Sequence, residues 1–148
     1  MKKFKFSLQA LYNYKQTVER TQKADLKRAQ QLLRELLNEE QRLLGAYADN
    51  ERSLERALRS GRDIGAALSE HDAYFRFLRD ELINIREKIV KAEEVRDKCV
   101  EQLIKTMREL KTYKKLRDEQ YRLYLKEVEA EESKEIADLV SYNTVSGA

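Results

Sequence analysis

The sequence predicts an all-α protein that forms a long antiparallel two-helix coiled-coil hairpin. The 148 residues include no proline and only four glycines, so the chain has room for very few turns. Charged residues make up 39% of the chain, which is too many for a thick core. Aliphatic residues nevertheless recur with heptad spacing, which is typical of a coiled coil and not of a disordered chain.

Helix 1 is predicted to run from about residue 5 to residue 59. Toward its start the apolar stripe thins to Leu8, Leu11 and Val18, so we expect weaker packing there. Gly45 stands alone within the pattern, and we interpret it as a helix-interior glycine that lowers helix stability by about 1 kcal/mol relative to Ala without ending the helix. The rest of the stripe is broad and consists of three heptad rows: Leu26, Leu33, Tyr47 and Leu54; Ala29, Leu36, Leu43 and Ala57; and Leu37, Leu44 and Leu58.

The turn is predicted at residues 60–65, where Gly61 and Gly65 separate the two periodic stretches. Helix 2 is predicted from about residue 66 to residue 139, which makes it the longer helix. One heptad frame holds there without a break. Its a positions are Leu68, Phe75, Leu82, Ile89, Arg96, Leu103, Leu110, Arg117 and Tyr124, and its d positions are His71, Leu78, Ile85, Ala92, Cys99, Thr106, Tyr113 and Gln120.

A turn near residue 62 also predicts how the helices pair, with Leu44 near residue 80 and Leu8 near residue 116. Residues beyond about 120 then lack a partner in helix 1, and we expect an overhang of helical composition at residues 123–138. Residues 141–148 lose both charge and heptad period and are predicted to form a disordered tail. Residues 1–140 would form a single hairpin domain.

Several function classes are disfavoured by the residue inventory. The sequence contains no glycine-rich phosphate-binding motif, and its single histidine, His71, excludes histidine triads and two-histidine metal sites. A two-helix protein offers no cleft in which carboxylates could be desolvated and tuned. We therefore expect no enzymatic activity, no cofactor, no metal and no small-molecule substrate.

Charge and cysteine content indicate the compartment. Thirty basic residues and 27 acidic residues are interspersed, whereas a nucleic-acid-binding protein concentrates its basic residues on one face. The single Cys99 cannot form an internal disulfide, which suits a reducing compartment. The first residues include no long apolar run, so we expect a cytoplasmic protein without a signal peptide and without direct membrane insertion.

Three stretches carry more apolar character than a hairpin needs. In the heptad frame Phe77 points outward at position c, with Tyr74 at g and Ile83 at b. A partner that covers Phe77 is one interpretation, and shielding by the broad stripe of helix 1 is the other. The row Ile83, Val90 and Ile104 could form a side surface for another helix or consist of unrelated exposed residues. The overhang could insert into a ring or groove, or remain a solvated helix end.

Three landmarks of the sequence resemble a known family. Residues 4–11, which read Phe-Lys-Phe-Ser-Leu-Gln-Ala-Leu, resemble the F-x-F-x-L-x-x-L opening of the bacterial flagellar export protein FliJ family. Tyr74 and Phe77, soon after the turn, are similar to the family's Y-x-x-F, and residues 132–138 resemble its acidic closing segment. The chain length, the absence of proline and the glycine-containing turn agree, so the resemblance covers nearly the whole chain.

The resemblance implies a non-enzymatic component of the flagellar type III export apparatus, with a hairpin similar to the coiled coil of the rotary ATPase γ subunit. Such a protein would sit at the centre of the hexameric export ATPase and link it to the membrane export gate. It would also escort empty export chaperones, and it would be cytoplasmic, peripherally associated with the cell membrane at the flagellar base. A generic coiled-coil adaptor or stalk of another secretion system or ATPase, and a nucleic-acid-binding helical arm, remain alternatives.

The resemblance also implies two contact sites. The gate contact would use Tyr74 and Phe77 with an aliphatic partner, for which Leu78 and Leu82 are the candidates. Glu81 occupies the position four residues after Phe77, where the family has an aliphatic residue. The ATPase contact would involve the segments near both termini, with the candidates Phe4, Phe6, Leu8, Leu11, Tyr124, Val128 and Ile136.

Overall fold

The computed structural model describes residues 2–61 and 63–147. Within these residues the protein consists of two α-helices and no strand: α1 spans Gln9–Arg59 and α2 spans Ile64–Ser146. The two helices form a hairpin in which the second is the longer, as predicted. Arg62 of the predicted turn and Ala148 of the predicted tail lie outside the described residues.

A glycine ends α1 and an aspartate begins α2. Gly61 has a φ of 74°, a left-handed conformation that glycine adopts without steric cost. Asp63 then caps α2, because its Oδ1 accepts a hydrogen bond from the Gly65 N–H at 3.1 Å and its carbonyl accepts one from Ala67 at 3.1 Å. This cap starts α2 two residues earlier than the sequence predicted, and Gly65 lies within its first turn.

The helix α1 starts at Gln9, later than the predicted start near residue 5. The preceding segment, residues 2–6, has no regular secondary structure. The Phe6 carbonyl accepts a hydrogen bond from the Gln9 N–H at 3.1 Å in the turn that leads into the helix. The Phe6 side chain is buried, at 6% exposure. Burial of this ring contributes hydrophobic free energy, which favours the irregular segment over another turn of helix.

The residues group into two compact units. The first, Gln22–Gln102, contains the turn and is called the turn unit below. The second consists of Met1–Thr21 and Leu103–Ala148 and is called the terminal unit. Each unit contains a part of both helices.

The turn unit has an apolar core whose α2 side chains occupy a and d positions of the predicted frame. Leu78 is the most deeply buried, at 1% exposure, and Tyr47 packs its ring against Phe75 with centroids 4.7 Å apart. Arg86 Nε donates a hydrogen bond to Glu40 Oε2 at 3.2 Å beside the core. Each fully buried aliphatic side chain contributes roughly 1.5–3 kcal/mol. The core consists of Leu33, Leu43, Leu78, Leu82, Ile85, Ile89 and Ala92.

Close to the turn the seam becomes polar and shifts by one residue. Ala67 is buried in place of Leu68, which the frame had assigned to the seam. His71 lies in the seam as predicted, with its Nδ1 2.7 Å from the Ala67 carbonyl oxygen. The buried Asn50 donates its side-chain N–H to the His71 carbonyl at 3.1 Å. These hydrogen bonds satisfy polar groups that would otherwise be costly to bury.

In the terminal unit two polar contacts link α2 to the N-terminal part of the chain. Lys15 Nζ lies 2.6 Å from Glu109 Oε2, and residue 109 is the position that the predicted pairing assigns opposite Lys15. Gln120 Nε2 donates a hydrogen bond to Ser7 Oγ at 3.4 Å, a few residues beyond the predicted pairing of Leu8 with residue 116. Between Leu103 and Tyr124 of the frame, Thr106 is buried, Arg117 is exposed and the other residues are half-buried.

Candidate functional site

An exposed aromatic pair lies on α2 in the turn unit. Tyr74 and Phe77 stack with ring centroids 6.2 Å apart and planes inclined by 19°. Phe77 is 55% exposed and Tyr74 44%, although the core lies one position away along the helix. The outward position that the heptad frame predicted for Phe77 is confirmed. Two stacked exposed rings add nothing to the hairpin core and form an apolar patch suited to protein contact.

Charged side chains lie near Tyr74 of this pair. Arg42 of α1 donates two hydrogen bonds to Glu39, from Nε to Oε2 at 2.9 Å and from Nη2 to Oε1 at 2.6 Å. The pKa of the Arg42 guanidinium is raised above its ordinary value chiefly by Glu39, and also by the nearby Tyr74 and Glu81. The aromatic patch therefore has charged groups on the side of Tyr74, and polar groups commonly border the apolar centre of a protein interface.

The two aliphatic candidates for the gate contact do not belong to this exposed patch. Leu78 and Leu82 are buried in the core of the turn unit, at 1% and 7% exposure. Their a and d positions direct them toward α1, so neither offers a surface to a partner. Ile83 is exposed and lies six residues after Phe77. The candidate surface on the turn unit is therefore narrower than the sequence indicated and consists of Tyr74 and Phe77.

A second aromatic group joins the first residues of the chain to α2 in the terminal unit. The Phe4 ring contacts Tyr121 edge-on, with centroids 5.1 Å apart, and contacts Tyr124 at 5.5 Å. The Tyr124 hydroxyl donates a hydrogen bond to the Lys2 carbonyl at 2.8 Å. Tyr121 was missed by the sequence analysis, although its spacing of three residues from Tyr124 places both rings on neighbouring positions of one helix face.

These contacts shorten the predicted overhang. The irregular segment at residues 2–6 lies along α2 as far as Tyr124, and Val128 is half-buried, so α2 has contacts beyond residue 120 that the sequence analysis did not expect. These contacts are with the segment before α1 and not with α1 itself. The physical reason is that an irregular chain can extend roughly 3.3 Å per residue, compared with 1.5 Å in a helix, and so reaches further along α2. Beyond Val128 every described residue is exposed.

The exposed part of α2, residues 129–146, is called the α2 extension below. It is helical to Ser146, so the structure differs from the predicted disordered tail over residues 141–146. No proline interrupts it, and the next glycine after Gly65 is Gly147, so no residue of strong helix-breaking character ends the helix earlier. Loss of charge after Asp138 indicated a tail, but it does not by itself stop a helix.

The candidate residues for the ATPase contact differ in accessibility. Phe6 is buried and Phe4, Leu8, Tyr124 and Val128 are half-buried, so these five mainly hold the terminal unit together. Leu11 and Ile136 are exposed, at 40% and 61%. Ile136 lies in the α2 extension, and its neighbours Leu139 and Val140 are exposed as well.

The terminal unit also contains a groove between its helices. Of its lining residues, the sequence analysis had singled out only Ile104 as part of a possible side surface. Tyr12 and Gln16 of α1 line one wall. Ile104 and Met107 of α2 line the other wall, and both are more than 40% exposed. The groove has a volume of about 440 Å³, and Lys111 and Lys114 extend it along α2. It is long, open and basic, which suits an acidic helix better than a small molecule.

Neither a metal-binding cluster nor a membrane-spanning stretch is present among the described residues. Residues 2–61 and 63–147 contain no group of three or more histidine, cysteine or acidic side chains arranged to hold a metal ion. Neither helix, over its described residues, includes a stretch long and apolar enough to cross a bilayer.

Comparison with known proteins identifies one family. A model of the flagellar FliJ protein family matches residues 4–145. Searches of curated proteins and of solved structures found no match. Because the family match spans nearly the whole chain, the protein belongs to the flagellar FliJ family and is related to flagellar protein export.

Proposed function

We propose that the protein is a non-enzymatic stalk of the flagellar type III export apparatus. It links the export ATPase hexamer to the membrane export gate and escorts empty export chaperones. It acts on the cytoplasmic side of the membrane at the flagellar base. Family membership supports this role, and two surfaces that the hairpin itself does not use support contact with more than one protein.

The observation that carries the proposal is the exposed aromatic pair of the turn unit. Tyr74 and Phe77 offer two stacked rings, and Arg42 of α1 and Glu81 of α2 lie near Tyr74. Aromatic side chains surrounded by polar residues dominate binding energy in many protein interfaces. We assign the contact with the export gate to this pair, without Leu78 and Leu82, which form the core.

The α2 extension supports the second contact. Its residues 129–138 include five acidic side chains and one basic one, and Ile136, Leu139 and Val140 form an exposed apolar patch with helical spacing. An amphipathic helix without an intramolecular partner can lie in a groove of another protein. We assign the contact with the export ATPase to the extension, which contains Ile136 of the original candidates.

The test is Phe77→Ala, compared with Val90→Ala as the matched control. Val90 is also 55% exposed and lies on the same helix outside the aromatic pair. Phe77→Ala should weaken binding to the cytoplasmic domain of the export gate protein by about 30-fold, since truncating a central aromatic costs about 2 kcal/mol or more. Val90→Ala should change binding less than about threefold. Binding is measured by isothermal titration calorimetry.

Circular dichroism separates a binding effect from unfolding. Because Phe77 lies outside the core, Phe77→Ala should leave the helix content and the melting temperature nearly unchanged. Equal binding by wild type, Phe77→Ala and Val90→Ala would overturn the assignment of the gate contact. Absence of binding by the wild type itself would overturn the stalk function, and the generic adaptor would then be the better account.

A further inference from the structure

One face of α2 in the terminal unit carries an exposed stripe that the hairpin does not use. It follows the b and e positions of the heptad frame, so successive members are three or four residues apart from Ile104 to Tyr142. Every member is exposed except Val128, which is half-buried. The beginning of the stripe forms one wall of the groove described above.

Charge divides this stretch of helix into two halves of opposite sign. Residues 104–117 include six basic residues and one acidic residue, a net charge of +5. Residues 127–140 include six acidic residues and one basic residue, a net charge of −5. Both segments are fourteen residues long. Two such halves attract each other when two copies of the helix lie antiparallel.

The stripe of one copy is chemically complementary to the stripe of a second copy that lies antiparallel to it. An antiparallel arrangement with its centre near residue 123 places Met107 opposite Leu139 and Ile104 opposite Tyr142. The same arrangement places Tyr121 opposite Leu125, so three sets of positions combine apolar or aromatic side chains.

The charged positions of the stripe match as well. Lys111 lies opposite Glu135, and Lys114 lies opposite Glu132. One set does not match, since Asp118 lies opposite Val128. Five of the six sets therefore combine side chains of compatible chemistry at the spacing of a two-stranded coiled coil.

The extension cannot reach the groove of its own chain. The helix α2 is continuous from Ile64 to Ser146 and contains neither proline nor glycine between Gly65 and Gly147. Folding back would require a break within this helix, and the sequence provides no residue that favours one. An acidic helix seated in the groove would therefore come from another molecule.

We propose that α2 of one copy pairs antiparallel with α2 of a second copy, with the two-fold axis near residue 123. Because the distance between the groove and the extension is the same in both copies, a single arrangement seats both extensions at once. The contact is then isologous and closes as a dimer without leading to a filament. The paired stretch from Ile104 to Tyr142 is roughly 58 Å long.

The dimer goes beyond the proposed stalk function and does not depend on it. It would cover the α2 extension, which is the segment assigned to the export ATPase. Self-association and ATPase binding would therefore exclude each other, and the free extension would belong to the monomer. Contact through Tyr74 and Phe77 of the turn unit involves different residues.

The experiment uses sedimentation equilibrium of the full chain at low salt, with two charge-reversal variants. Lys111→Glu with Lys114→Glu should weaken dimerisation by roughly tenfold or more, because each reversal places like charges opposite each other twice in the symmetric dimer. Glu132→Lys with Glu135→Lys should weaken it to a similar degree. An equimolar mixture of the two variants should recover dimers, since each lysine then faces a glutamate again.

The matched control is Lys105→Glu with Lys126→Glu. Both lysines are exposed and occupy c positions of the same helix, away from the stripe. This variant has the same change in net charge as the lysine variant and should dimerise like the wild type. Circular dichroism should show the same helix content for all variants, because the altered side chains are exposed and Lys and Glu have similar helix propensities.

Three results would overturn the proposal. The first is a wild-type chain that stays monomeric up to several hundred micromolar at low salt. The second is an equimolar mixture that remains as monomeric as the separate variants. The third is equal weakening by the c-position control, which would show that net charge alone governs association. Tight, salt-dependent binding of the wild-type monomer to duplex DNA would instead assign the basic half of the stripe to nucleic acid.

Discussion

In the turn unit seven apolar side chains from both helices form a continuous core. In the terminal unit the Lys15–Glu109 ion pair joins α1 to α2, and hydrogen bonds and aromatic rings join the segment before α1 to α2. The difference follows from the heptad seam. Its a and d positions are mostly aliphatic between residues 75 and 92, but they include Thr106, Arg117 and Gln120 further along α2. The aliphatic seam of the turn unit packs the two helices against each other, whereas the polar seam of the terminal unit leaves more side-chain surface exposed for contact with other molecules.

The largest expected effect is on stability, and it should differ between the two units when the same Leu→Ala substitution is made in each. Leu78→Ala in the turn unit should lower the free energy of unfolding by about 2–5 kcal/mol, because it leaves a cavity in the core. Leu123→Ala in the terminal unit makes the same chemical change at a residue 55% exposed and should cost less than about 0.5 kcal/mol. Urea denaturation followed by circular dichroism measures both. Similar costs at the two positions would show that the terminal unit is packed as well as the turn unit.

Two glycine substitutions in the turn unit should change the free energy of unfolding in opposite directions. Gly45 is exposed within α1, and a Cβ atom built there meets no atom within 4 Å. Gly45→Ala should therefore raise the free energy of unfolding by about 1 kcal/mol. Gly61→Ala should lower it by about 1 kcal/mol, since Ala at a φ of 74° is strained. Stabilisation by Gly61→Ala would contradict the assignment of this residue to the left-handed end of α1.

The smallest expected effect concerns pH and the terminal unit. The pKa of the Glu109 carboxyl lies below its ordinary value of 4.5, because Lys15 donates a hydrogen bond to it. The pair therefore stabilises the terminal unit fully above pH 4.5, and this contribution is lost as pH falls through the lower pKa of the folded state. The pKa of Lys15 is raised from 10.5 chiefly by the same bond, so the contribution is also lost as pH rises through that raised value.

Glu109→Gln should remove this pH dependence, which hydrogen exchange of the amides around Lys15 and Glu109 measures. Glu39→Gln is the control, because its partner Arg42 lies one turn away on the same helix and in the turn unit. That substitution should leave the terminal amides unchanged. Salt should weaken the Lys15–Glu109 contribution, since both side chains are partly exposed.

The features that a heptad pattern determines were predictable from the sequence. The frame correctly placed Leu78, Ile85 and Ile89 in the core and Phe77 outside it, and the pairing of Lys15 with Glu109 fell at the expected register. This success has a physical reason. In a two-helix coiled coil a single period determines which side of each helix is buried, and the turn position determines the pairing.

The departures occur where contacts outside the heptad rule decide the structure. Phe6 is buried in an irregular segment whose path no periodicity describes, and near the turn Ala67 occupies the buried position that the frame assigned to Leu68. The helix also continues through residues 141–146, where neither proline nor glycine interrupts it before Gly147. The gate candidates Leu78 and Leu82 came from a family spacing that this chain lacks, because Glu81 occupies its second position.

Hydrogen exchange of the whole chain tests the difference between the two units most directly. The Lys111→Glu, Lys114→Glu variant is the suitable sample, because the proposed dimer would otherwise protect the α2 extension. The account predicts that amides at residues 78–92 exchange only through global unfolding, whereas amides at residues 129–146 exchange many times faster through local opening. Uniform protection along α2 in this variant would contradict it, because an extension without packed neighbours would then be as stable as the core.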